Sequence, residues 1–176
     1  MQIPKPITSS HLPDYLANYI SQVPFPELLE GLEESRNQGI AFFKQIDPAK
    51  WDYAYQEGKW TIKQVLAHML DVERIFAYRA LRFSRKDRTP LPGFDDDIYA
   101  LNANAENRTA ERLIAEFDCV RRASIQLYAY MDGSMLSFKG IANKVEINAY
   151  DIGWVMIGHQ LHHQQSIQER YLQLGN

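Results

Sequence analysis

The sequence predicts an all-α fold, a four-helix bundle, on three observations. Four long stretches carry apolar residues at the i, i+3, i+4 and i+7 spacing of a helix that buries one face. Capping residues and breakers stand at the ends of those stretches. No strand-rich segment and no internal repeat compete with this reading, and packing four such stripes on one another is the simplest way to bury them.

The first long helix is expected from Pro26 to Gln45, with Pro26 suited to a helix start and Leu28, Leu29, Leu32, Ile40 and Phe43 forming a broken stripe. Asp47-Pro48 then caps a short turn. The second begins after Thr61, which has the capping-box spacing to Gln64, and carries Val65, His68, Val72, Ile75 and Phe76 on one face to about Arg85. Arg88 to Asp97 reads as a loop broken by Pro90, Pro92 and Gly93, with Asp95 to Asp97 favouring a short helix through Tyr99 and Leu101. The third long helix runs from about Thr109 to Met131, with Asp132-Gly133 as its stop. Met135 to Ile147 shows weak alternation and is read as loop. Asn148 caps the last helix, which continues to Leu174 with Ile152, Val155, Met156, His159, His163 and Ile167 inward.

The link between the second and third helices sets the topology. Roughly 20 residues span up to about 65 Å, whereas a helix of about 25 residues is about 38 Å long. A crossover along the whole bundle is therefore open, leaving those two helices parallel. Residues 1–24, with four prolines, form an arm in which Tyr15 and Tyr19 suit a short docking helix; residues 25–176 form the bundle domain.

Composition narrows the function classes. The chain has 176 residues, 45% of them hydrophobic, as expected for one domain with an ordinary core. With 19 basic against 22 acidic residues and a net charge of −3, nothing points to nucleic acid. The most apolar run, Ile152 to Gly158, is too short for a membrane span. Met1 to Ser10 lacks the apolar core of a signal peptide, and the lone Cys119 permits no internal disulfide, so a cytoplasmic protein is expected. Cys119 is read as a buried small hydrophobe.

Chemistry rests on histidine. Of five, His68, His159 and His163 fall on apolar helix faces. His159 and His163 stand at i and i+4, so two imidazoles can reach one ion, and His68 supplies a third nitrogen if its helix is a neighbour. The competing reading is three hydrogen-bonded core histidines. His162 is placed at the rim or behind the ligands, and His11 at the surface. Asp71, one turn after His68, orients a ligand or faces solvent. Trp60 and Tyr99 line a pocket or pack in the core. Arg121 binds an anionic substrate or pairs with Glu116 or Asp118. His159-Gln160-Leu161-His162-His163 resembles a zincin motif but carries Gln160 where a general base is needed. No Glu-x-x-His pair, haem attachment motif, phosphate loop or nucleophile elbow occurs.

Trp60 to Arg74 around His68, and Gly158 to His163, resemble the two signatures of the DinB-like superfamily, including its YfiT-type metal-dependent hydrolases. Tyr78 to Arg82, Pro90 to Asp95, and Glu116-Phe117 with Arg121 are similar to one subgroup, so the resemblance extends from about Tyr15 to Tyr171. It implies an up-down-down-up bundle, commonly dimeric, and a nickel or zinc ion held by His68, His159 and His163. It also implies a small-molecule substrate and, in some relatives, transfer of a low-molecular-weight thiol. Many relatives carry Glu at the place of Gln160. Two function classes follow: a metal-dependent transferase or hydrolase, and a non-catalytic metal-binding or stress-associated protein of the same fold.

Overall fold

A computed structural model describes residues 2–6 and 11–172. Seven helices and one hairpin follow in order: α1 (Asp14–Ser21), α2 (Leu28–Lys44), α3 (Ile62–Ser84), α4 (Asp96–Asn102), α5 (Ala110–Ala129), α6 (Gly133–Ser137), β1 (Lys139–Ala142), β2 (Val145–Asn148) and α7 (Ala149–Ser166). A π-helical turn, Ile167–Leu172, extends α7; the expected end at Leu174 lies outside the described residues.

The bundle is α2, α3, α5 and α7. Both α2 and α3 pack on α5 and α7, so α2 and α3 face each other across a diagonal. Two apolar clusters stack along the axis. Leu28 and Leu32 of α2 share one with Ala80 and Phe83 of α3, Ile125 and Tyr128 of α5, and Ile152 to Ile157 of α7. Phe43, with Ile62 to Leu70 of α3, Leu113 to Phe117 of α5, and Ile167, makes the other. Hence α2 and α7 run one way along the axis, and α3 and α5 the other.

Caps explain where the helices begin. Thr61 and Gln64 bond each other's backbone N–H at 3.2 and 2.9 Å, a complete capping box. Asn148 accepts from Asp151 N–H at 2.8 Å to start α7. The start expected at Pro26 moves to Leu28, because Glu27 is the cap: its carboxylate accepts from Glu30 N–H at 2.9 Å and from Ile3 N–H at 2.8 Å, tying the arm to α2. Asp132, expected as a stop, opens α6 by accepting from Met135 N–H at 2.9 Å.

The segment read as loop holds a two-stranded hairpin. Asn143 and Lys144 both have positive φ, 49° and 65°, between the paired residues Ala142 and Val145. Two left-handed residues make the tight turn whose twist suits paired strands. Asn-Lys lacks the glycine that normally marks such a turn, which is why the alternation read weakly. At Gly140 a Cβ would lie 2.2 Å from the Phe83 ring, so the hairpin sits flat on α3. The loop after α3 pairs with its edge, Leu91 N–H donating to Ile141 O at 2.8 Å and Asn143 N–H to Leu91 O at 3.0 Å.

The arm packs on α7. Leu12, Leu16, Ile20 and Val23 join the first apolar cluster, and Tyr19 lies against Gly158, where a Cβ would be 2.1 Å from the Tyr19 carbonyl oxygen. His11 is exposed, as expected, and its Nε2 is 2.9 Å from the buried carboxylate of Asp151. Cys119 is exposed, not buried: two residues beyond Phe117 on α5, it is turned about 200° from the inward face.

Candidate metal centre

The adjacency of α3 and α7 brings together three side chains far apart in sequence. His68 stands on the face of α3 toward α7, and His159 and His163 occupy successive turns of α7. The Nε2 atoms of His68 and His159 are 3.2 Å apart, and those of His159 and His163 3.0 Å. One potential ligand atom from each ring lies within 4.8 Å of the others. A ring nitrogen carries either one hydrogen or one lone pair, so at most one good hydrogen bond forms among the three.

Burial decides their charge. It holds His68 at about 4, with Asp97 pulling weakly the other way. It holds His163 at about 3, aided by His68 and His162. His159 falls well below the ordinary histidine range through burial first, then His163 and His68. All three are therefore neutral at pH 7, the form that can ligate a metal. Two nitrogens bound to one tetrahedral ion at about 2.0–2.1 Å are about 3.3 Å apart, close to the spacings seen here. The donor set fits a divalent ion.

The cluster opens on a cavity of about 360 Å³ between α3, α7, α1 and the hairpin. Trp60 lines it, its ring 4.8 Å from that of His68, as one of its two expected roles requires. Tyr19 packs edge-on to His159 at 5.6 Å. The other expected residues do not line it. Tyr99 is 43% exposed and meets the Phe94 ring at a tilt, centroids 5.1 Å apart. Asp71 is half-buried and lies 3.7 Å from Arg74. His162 is exposed and meets Tyr19 and His163 by ring edges. Arg121 is buried away from the cavity, gripping Glu73 through Nε at 2.7 Å and Nη2 at 2.9 Å; Glu116 and Asp118 pair with other arginines. Gln160 points to α2, donating to Ser35 O at 2.6 Å.

Two residues the sequence did not single out do belong here. Asp96 Oδ1 is 3.7 Å from His68 Nδ1, and burial, then the charges of Asp97 and Asp95, raise its pKa. Asp96 stands 28 positions from His68, with no periodicity to link them. Arg79 lines the cavity from the last turns of α3. For Arg79 a signal existed: the stripe His68, Val72, Phe76 continues to it, a charge on an apolar face.

The arrangement defines a class, a helical bundle with an internal three-histidine cavity. The chain belongs to the DinB superfamily, whose family model matches residues 31–167. Among solved structures it is similar to YfiT from Bacillus subtilis, described as a probable metal-dependent hydrolase with an unusual four-helix bundle topology. That likeness has a TM-score of 0.75 at 16% identity and covers 84% of this chain and 86% of YfiT. No functionally curated protein matches the chain. No helix among the described residues is long and apolar enough to cross a membrane.

Proposed function

We propose that this protein is a metal-dependent enzyme acting on a small molecule, with His68, His159 and His163 as ligands of one divalent ion. The observation that carries the reading is the convergence of three neutral imidazole nitrogens at the wall of a cavity of about 360 Å³. A divalent ion there would supply a Lewis acid able to make a thiol or water nucleophilic near neutral pH. Borderline-soft nickel or zinc suits three imidazoles, and transfer of a low-molecular-weight thiol or hydrolysis of a small substrate are the reactions that reading favours.

The chain's own residues do the positioning. Three protein ligands leave room for a further group at the ion, the pattern of catalytic rather than structural sites. Asp96, a half-exposed carboxylate 3.7 Å from the Nδ1 of His68, is beyond hydrogen-bond distance but near enough to orient that ring through a small side-chain movement. Trp60, Phe76 and Tyr19 surround the histidines with rings and limit water. YfiT's description as a metal-dependent hydrolase supports the same reading. A cytoplasmic setting and a homodimer belong to it as well.

Metal analysis of protein purified without a histidine tag tests it. One equivalent of nickel or zinc, lost on replacing His68, His159 or His163 by Ala but retained in His162→Ala and His11→Ala, is expected. Metal-loaded protein should then accelerate thiol transfer to an electrophile, or ester or amide hydrolysis, over metal-free protein. Full occupancy without turnover across both screens would favour the non-catalytic, stress-associated metal-binding alternative. Absence of stoichiometric metal would overturn the site itself.

A further inference from the structure

Beyond the histidines, Asp96 and Asn143, the cavity wall is mainly apolar and aromatic, with Leu16, Val72, Phe76, Ile152 and Val155 prominent. Its volume suits a small organic ligand. One residue on it is out of keeping. Arg79 is only 7% exposed. It donates a single hydrogen bond, from Nη2 to Pro92 O at 2.9 Å. Among the described residues it forms no ion pair, and its cation otherwise rests beside the rings of Phe76 and Phe94, at 5.6 and 5.9 Å. Arg121, the other deeply buried guanidinium, is matched bidentately by Glu73. A guanidinium carries five N–H donors, and an unpaired buried charge is costly unless something else completes it. Burial accordingly lowers the Arg79 pKa, opposed weakly by Tyr15.

Geometry says where an anion would sit. His68 and Arg79 are 11 residues apart on α3, three turns, or about 16 Å along the axis and on one face. A long helical side chain leans toward the N-terminus, and the Phe76 contact shows Arg79 leaning that way. His68 leans the same way, so the Arg79 head stands roughly 10–15 Å from the His68 imidazole, and an anion bound to it lies between the two. The cavity's own carboxylate, Asp96, is held near His68, so the two ends differ in sign: acidic beside the histidines, cationic at Arg79.

We propose that Arg79 is the anion-recognition residue of this cavity. The substrate is then an organic carboxylate whose apolar body lies along Val72 and Phe76 and whose reacting group reaches the histidines roughly 10 Å from the carboxylate. This deepens the enzyme reading, since the histidine cluster supplies the reacting end, but carboxylate binding itself needs no metal.

Isothermal titration with 4-phenylbutyrate and its neutral amide tests the assignment, using metal-free and metal-loaded full-length protein. The acid should bind at least about tenfold tighter than the amide in both forms, as expected for a charge-assisted hydrogen bond. Arg79→Gln should abolish that preference, and Arg79→Lys, which keeps the charge but not the fork, should retain part of it. Equal binding of acid and amide by the wild type, or no binding of either, overturns the proposal without any variant. So does an acid preference that survives in folded Arg79→Gln protein. Metal uptake with no acid preference sinks this assignment alone, whereas acid preference without metal uptake sinks only the metal reading.

Discussion

Replacing Glu73 by Gln tests whether the buried Arg121 network is architecture rather than chemistry. Arg121 is 0% exposed and spends three nitrogens on two side chains, Nε and Nη2 on Glu73 at 2.7 and 2.9 Å and Nη1 on Ser35 Oγ at 2.6 Å, with Leu32 O a further 3.5 Å partner of Nη1. Ser124 donates to the same carboxylate at 2.9 Å, so the network clamps α2, α3 and α5 where the two apolar clusters meet. Glu73→Gln keeps the shape but leaves the guanidinium buried without a counter-charge, a loss of about 3–5 kcal/mol. For a domain of this size that lowers Tm by roughly 10 °C. Glu73→Leu combined with Arg121→Met should recover most of the loss, because the stranded charge is then gone. Urea unfolding followed by circular dichroism gives the numbers, and metal uptake by folded Glu73→Gln should match wild type. A loss below about 1 kcal/mol in Glu73→Gln, or a double variant no better than the single ones, would refute the argument.

Three further outcomes are expected. The metal-free protein should lose stability as pH falls from about 6.5 toward 4: the unfolded chain protonates His68 near its ordinary value while the fold holds it at about 4, so protons favour the unfolded state. That window is worth about 3 kcal/mol for His68, seen as a falling urea midpoint; a flat midpoint would contradict it. Gly158→Ala should destabilise by about 1–3 kcal/mol instead of gaining helix propensity, because the new Cβ meets Tyr19 backbone. Proteolysis before Pro24 should quicken in that variant, and unchanged cleavage would argue against the close approach. Asp96→Asn should weaken metal affinity by roughly tenfold and Asp71→Asn hardly at all; a competition titration with a chromophoric chelator ranks the two.

The helices were legible in the sequence because their evidence is local. Thr61 with Gln64 and Asn148 with Asp151 specify starts within one turn of chain, and the apolar stripes specify inward faces. His159 and His163 were legible as a pair for the same reason, since i and i+4 are neighbours on any helix. The hairpin escaped because its turn is made by Asn143 and Lys144, whose positive φ no residue type announces as glycine does. Cys119 escaped because one position along a helix shifts a side chain by about 100°. Only the tertiary structure decided that α7 lies beside α3, and so that His68 joins the pair. It also decided that Arg121 meets Glu73 rather than Glu116 or Asp118, that Asp96 stands behind His68, and that Arg79 meets no carboxylate. These are contacts between groups 28 to 95 positions apart in sequence or the lack of such a contact, and they depend on how whole faces pack, which no local spacing encodes.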